Sequence, residues 1–273
     1  MTPAPTTALI TGQGGLPAAL VAAMPERPLI AAFGDFTPEG LTPDLRFRVE
    51  RLSPFLDALH DRGITRVAFA GAIQRPRLDP ALIDPATAAL LTPLLASMAG
   101  GDDAALRAVL TIFEEAGFLV AGVADIAPAL IPAAGVLAGH ITPTDARDAA
   151  RATAIVAALG GVDVGQGAVV QQGLCLASEA LPGTDAMLRQ VAELPATLRP
   201  DASHGRGLFY KAPKPGQDLR IDLPVLGSQT LRLAAAAGLG GVVWQAGGVI
   251  CLEPQDMVTL AGELGLFLWS RSP

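Results

Sequence analysis

The chain has 273 residues, of which 51% are hydrophobic, 16% charged and only 4% aromatic, and it carries a formal net charge of −7. This composition excludes disorder as the main state, and the length suits two cores better than one. The negative balance excludes a general nucleic-acid binder, which needs a basic face, but leaves small anionic ligands open because they respond to local charge. Cys175 and Cys251 are too few for a disulfide framework or a zinc site, and both read as buried small hydrophobes of a reducing cytoplasm. The most apolar window, 118–137, contains Asp125, Pro128 and Pro132, so it reads as a strand and a loop rather than a membrane span. The opening M-T-P-A-P-T-T lacks the basic stretch of a secretory signal.

Along the chain, apolar runs bounded by Gly or Pro alternate with helical spacing. Residues 8–11, 29–33 and 65–70 read as strands. A helix is predicted over 53–62, with Ser53 as N-cap, Pro54 at the first helical position and Gly63 at its end. Leu106, Val109, Leu110 and Phe113 share one face of a helix over 102–116, and 118–123 follows as a strand. The pattern restarts near 138–143, where Thr144 is placed to cap a helix over 145–159. Strands are then predicted at 168–176, 207–211, 241–244, 249–252 and 266–269, with helices at 185–194, 226–237 and 255–264. The rhythm is that of an α/β protein: an N-terminal Rossmann-like parallel sheet with helices over 1–137 and a C-terminal α/β domain over 138–273.

Residues 7–17, T-A-L-I-T-G-Q-G-G-L-P, form a strand, a Gly-rich turn and a helix start. Gly12, Gly14 and Gly15 could let backbone approach a phosphate, and Asp35 lies where an acid could bind a ribose hydroxyl. Pro17 occupies the place of the third glycine of G-x-G-x-x-G, which argues against NAD but leaves another nucleotide open. In the second half, Gln166 sits between two glycines, Glu179 follows an apolar run, and Thr184 and Asp185 open a helix. The segment 211–224, K-A-P-K-P-G-Q-D-L-R-I-D-L-P, holds Lys211, Lys214 and Arg220 beside Asp218 and Asp222 on a proline-stiffened backbone. Fixed cations grip phosphate oxygens and fixed carboxylates hold hard divalent metals, so this loop suits phosphoryl chemistry. A solvated charged turn explains the same residues on composition alone. His60, His140 and His204 show no ligand spacing.

Taken together, the Gly-rich start, G-D-D-A-A-L-R at 101–107, D-V-G-Q-G-A-V-V at 163–170, E-A-L-P-G-T-D-A-M-L-R at 179–189 and the 211–224 segment resemble the LpxI-type UDP-2,3-diacylglucosamine pyrophosphatases of lipid A biosynthesis. The resemblance covers nearly the whole chain. It implies hydrolysis of UDP-2,3-diacylglucosamine to UMP and 2,3-diacylglucosamine 1-phosphate (lipid X), with Mg²⁺ or Mn²⁺ as cofactor. It implies a cytoplasmic protein peripheral to the inner membrane, and a homodimer is a further expectation. The aspartate of the family's R-x-D-L-P motif falls on Asp222, which is expected to serve catalysis and metal together, with Asp185 and Glu179 as further metal ligands. Lys211 and Lys214 are expected at the reacting phosphates. Gly12, Gly14, Gly15, Asp102, Gln166, Thr184 and Arg220 are expected to bind substrate. Two other readings stand beside this one: an NAD(P)-dependent oxidoreductase using the N-terminal glycines, and a non-catalytic nucleotide- or lipid-sensing module.

Overall fold

The computed structural model describes residues 6–73, 78–97 and 102–273, with the side chain of Asp102 outside the description. The chain divides into two compact units: Met1–Pro128 with Asp218–Asp222, and Ala129–Gln217 with Leu223–Pro273.

In the first unit the chain runs β1 (Thr6–Thr11), α1 (Leu16–Ala23), β2 (Leu29–Phe33), β3 (Leu45–Phe47), α2 (Leu52–His60), β4 (Ile64–Ala70), α3 (Pro85–Ser97), α4 (Asp102–Glu115), β5 (Leu119–Ala121) and the short α5 (Val123–Ile126). The five strands form one parallel sheet in the order β3-β2-β1-β4-β5. The strands β1, β2 and β4 are apolar on both faces, as a sheet covered by helices on two sides demands. Ala8, Ile10, Val67 and Phe69 pack with Phe55, Leu91 and Phe113 of α2, α3 and α4. The strand order reverses between β1 and β4, and such a switch point is where open α/β sheets bind ligands.

At that point the loops after β1 and β4 are laced together. Gln13 N–H donates to Ala72 O at 2.9 Å, and Ala72 N–H donates to Gln13 O at 3.0 Å. A Cβ on Gly12 would stand 2.3 Å from the Ala72 carbonyl oxygen, so glycine is required there by close backbone approach. Gly12→Ala is therefore expected to cost about 3 kcal/mol of stability. Urea unfolding of the variant would show this, and an unchanged midpoint would refute the packing argument.

The second unit runs β6 (Gly135–Ala138), α6 (Pro143–Gly161), β7 (Gly167–Gln171), β8 (Leu174–Ser178), α7 (Gly183–Ala192), β9 (Leu208–Lys211), β10 (Val225–Leu226), α8 (Ser228–Ala236), β11 (Gly241–Gln245), β12 (Ile250–Cys251), α9 (Pro254–Leu264) and β13 (Phe267–Arg271). Its main sheet is mixed, in the order β6-β13-β11-β9-β7-β8, and β10 pairs with β12 separately. Strand alternation sorts the core into two layers. Val169, Phe209, Val242, Trp244 and Leu268 face α7, α8 and α9, while Ala168, Val170, Leu208, Tyr210 and Val243 face Ala149, Ala152 and Val156 of α6.

The chain-order reading meets several local differences. The run 168–176 is two strands, because Gln172 and Gly173 both take positive φ (50° and 82°) and turn the chain into a hairpin. Buried Asp148 holds that turn, accepting from Gln172 N at 2.8 Å and Gly173 N at 2.7 Å. Thr142, not Thr144, caps α6, in a reciprocal capping box with Asp145. The residue preceding α7 is Pro182 and no side chain caps that helix, since the Thr184 hydroxyl is engaged elsewhere. Cys175 is exposed on edge strand β8, whereas Cys251 is buried, which pushes its thiol up to about 12. Residues 135–137, placed before the boundary in the sequence reading, belong to β6, which pairs with β13 in the second unit. Among the described residues, no helix is long and apolar enough to cross a membrane.

Candidate active site

The proline-stiffened loop after β9 is seated on two glycines. A Cβ on Gly248 would stand 2.8 Å from Pro213 Cδ, and one on Gly160 would stand 2.8 Å from Pro215 Cδ. Gln217 closes the loop by accepting, through Oε1, from Lys214 N and from Gln166 Nε2, each at 2.8 Å. Lys214 itself pairs with Asp163, a non-glycine residue held at a φ of 57°. Gln166 and Lys214 are thus brought into one hydrogen-bonded group, as parts of the loop's framework.

Lys211, at the end of β9, is only 6% exposed. Its ammonium donates to the Thr184 hydroxyl and lies 3.4 Å from Glu179 Oε2, and Thr184 Oγ1 donates to the same Glu179 oxygen at 2.7 Å. Thr184, Glu179 and Lys211, given separate roles at substrate and metal in the sequence reading, are therefore brought together by bonds to one another. They satisfy one another, as a buried charge pair must. Gly165 and Gly167 make room for this cluster. A Cβ on Gly165 would meet Glu179 O at 2.0 Å, and one on Gly167 would meet Glu179 Oε2 at 2.8 Å. Asp185 takes no part, since its carboxylate pairs along the helix with Arg189 at 3.4 Å.

Residues Asp218–Asp222 belong to the first unit although their chain neighbours on both sides belong to the second. They form a tight turn in which Ile221 N–H donates to Asp218 O at 3.3 Å and Asp222 N–H to the same oxygen at 3.4 Å. Ile221 packs on the apolar cluster of α2, α3 and α4. The backbone of Arg220 lies against Gly122, the residue immediately past the carboxyl end of β5. Asp222 is thereby carried on a turn fixed beside the carboxyl end of β5, a placement that spacing alone did not foretell. Arg220 is bound by Asp218 and Glu114, and its guanidinium holds the Asp218 carboxyl below the usual carboxylate range.

Of the N-terminal glycines, Gly12 is committed to the loop pairing described above. Gly14 has a φ of 93° with open space around its would-be Cβ, and Gly15 precedes α1, whose first turn holds no acidic residue. Asp35 is exposed beyond β2. Of Asp102 only the backbone is described, at the start of α4. Among the described residues, no three His, Cys, Asp or Glu side chains gather as a metal-holding group. Glu179 lies against Lys211, and Asp185 pairs with Arg189 at the surface of its helix. A single carboxylate fits Mg²⁺ better, because that ion is commonly held by one or two carboxylates and the substrate's own phosphates.

Comparison with known protein families finds a match over each half of the chain. The LpxI N-terminal domain model matches residues 6–130, and the LpxI C-terminal domain model matches residues 133–269. The chain belongs to the LpxI family. A UDP-2,3-diacylglucosamine pyrophosphatase LpxI from Caulobacter vibrioides is 39% identical over 218 residues, covering 79% of this chain and 78% of that protein. The LpxI C-terminal match includes Asp218–Asp222, yet these residues pack with the first unit. The residues that seat this turn, Glu114 and Gly122, carried no signal in the sequence, because neither lies in a recognisable motif.

Proposed function

We propose that this chain hydrolyses the pyrophosphate bond of UDP-2,3-diacylglucosamine, giving UMP and 2,3-diacylglucosamine 1-phosphate, as a step of lipid A biosynthesis. The observation that carries this reading is the match of both LpxI domains along one chain, with the intact R-I-D-L-P motif at 220–224. A divalent cation, Mg²⁺ or Mn²⁺, is part of the proposal. Asp222 is the carboxylate that would hold it, and bound there it would offset diphosphate charge and orient water. Water would add to the phosphorus on the glucosamine side, and UMP would leave with the bridging oxygen. Lys211 and Lys214 support this region by keeping the β9 loop in one shape. Work at the inner-membrane surface and assembly as a homodimer complete the proposal.

The test is product analysis with purified protein. UDP-2,3-diacylglucosamine is expected to yield UMP with Mg²⁺ and none with excess chelator, and unacylated UDP-glucosamine is expected to react far more slowly. Binding of NAD(P) without release of UMP would favour the oxidoreductase reading. Binding of substrate without cleavage or metal dependence would favour a sensing module.

A further inference from the structure

Arg220 stands two residues before Asp222, and each nitrogen of its guanidinium faces a carboxylate of the first unit. Nε donates to Asp218 Oδ1 at 3.0 Å, Nη2 to Asp218 Oδ2 at 2.7 Å and Nη1 to Glu114 Oε1 at 2.6 Å. Three of the guanidinium's five N–H donors are thus committed to carboxylates, with Asp218 gripped by two of them. We infer that Arg220 is a positioning residue: with Glu114 and Gly122 it latches the Asp218–Asp222 turn onto α4 and the end of β5, and so sets where the Asp222 carboxylate points. The inference rests on the role proposed for Asp222.

Each contact of the latch constrains a different part of the turn. Glu114, in the last turn of α4, draws in the outer edge of the guanidinium. Asp218 clamps the inner edge and also accepts from Arg220 N at 3.0 Å. Gly122 fixes the backbone: a Cβ there would stand 3.1 Å from Arg220 Cα and 3.5 Å from its Cγ. Gly122 has a φ of −85°, a value open to any residue, so closeness to Arg220 is what calls for glycine. Ile221 adds an apolar anchor beside these. A Lys at 220 keeps the charge but lacks the fork, so it cannot bind both carboxylates in this geometry.

The test uses Glu114→Ala, Gly122→Ala, Arg220→Lys and the double variant Glu114→Ala/Arg220→Lys. It measures kcat and KM for UDP-2,3-diacylglucosamine, the thermal midpoint, and amide hydrogen exchange over residues 219–222. A displaced catalytic group lowers turnover without weakening ground-state binding, so each single variant should lose about tenfold in kcat with KM held within about twofold. The double variant should be no worse than Arg220→Lys alone, because both changes break one unit. Exchange over 219–222 should quicken in all four while the midpoint holds. An Arg220 that grips substrate phosphate would behave otherwise: Arg220→Lys would chiefly raise KM, and Glu114→Ala would match wild type. That pattern, or unchanged exchange in Gly122→Ala, overturns the latch. If wild-type protein releases no UMP, the substrate reading fails on its own, and the exchange data still decide whether the latch holds the turn.

Discussion

Replacing Asp222 by Asn is expected to lower UMP release by about a hundredfold or more while the fold stays intact. The change keeps the shape of the side chain and removes its negative charge. The turn should survive, because the Ile221 and Asp222 amides close it on the Asp218 carbonyl and Asn keeps the length and hydrogen-bonding capacity of the side chain. Ile221 keeps its apolar seat and Arg220 keeps both of its carboxylates. A loss confined to kcat, with the thermal midpoint unmoved, would assign the charge at 222 to the reaction. Near-wild-type turnover would remove Asp222 from the mechanism.

Lys211→Met should act in the opposite way, on stability first. The Lys211 and Glu179 side chains are 8% and 12% exposed and lie 3.4 Å apart. Removing the ammonium strands a nearly buried carboxylate beside the Thr184 hydroxyl, and breaking a pair of this kind costs about 3 kcal/mol. For a protein of this size that lowers the thermal midpoint by about 5 °C. Adding Glu179→Gln should recover part of the loss, because it removes the stranded charge. If Lys211 instead reaches a substrate phosphate, Lys211→Met would leave the midpoint in place and raise KM. Thermal scans of the two variants beside wild type separate these outcomes.

The fold was legible in the sequence wherever apolar runs and turn residues agreed. Strands 29–33 and 65–70 and the helix over 102–116 followed from spacing, because burial on both faces of a sheet, or on one face of a helix, leaves a direct mark. Three kinds of feature left none. The short β3 is too brief to show alternation, and α3 carries Pro93 in its interior, which reads as a break. The hairpin at Gln172 needed Asp148, 24 positions away, to hold its amides. Glycines were ambiguous for the same reason: Gly12 looks like part of a phosphate loop in one dimension but makes room for Ala72 in three, and Gly165 and Gly167, read as a turn around Gln166, make room for Glu179.

The candidate site shows the same divide. That Thr184, Glu179 and Lys211 close on one another was not readable from their motifs, since mutual satisfaction is a matter of distance. The charges of 218–222 were visible as a cluster. The membership of that turn in the first unit was hidden, because its anchors Glu114 and Gly122 lie about a hundred positions earlier in the chain.

Hydrolysis in oxygen-18 water tests the central claim most directly. Purified protein, UDP-2,3-diacylglucosamine and Mg²⁺ should give unlabelled UMP and a 2,3-diacylglucosamine 1-phosphate carrying one labelled oxygen, as read by mass spectrometry. Label found in UMP instead, or an intact substrate after prolonged incubation, would contradict the account.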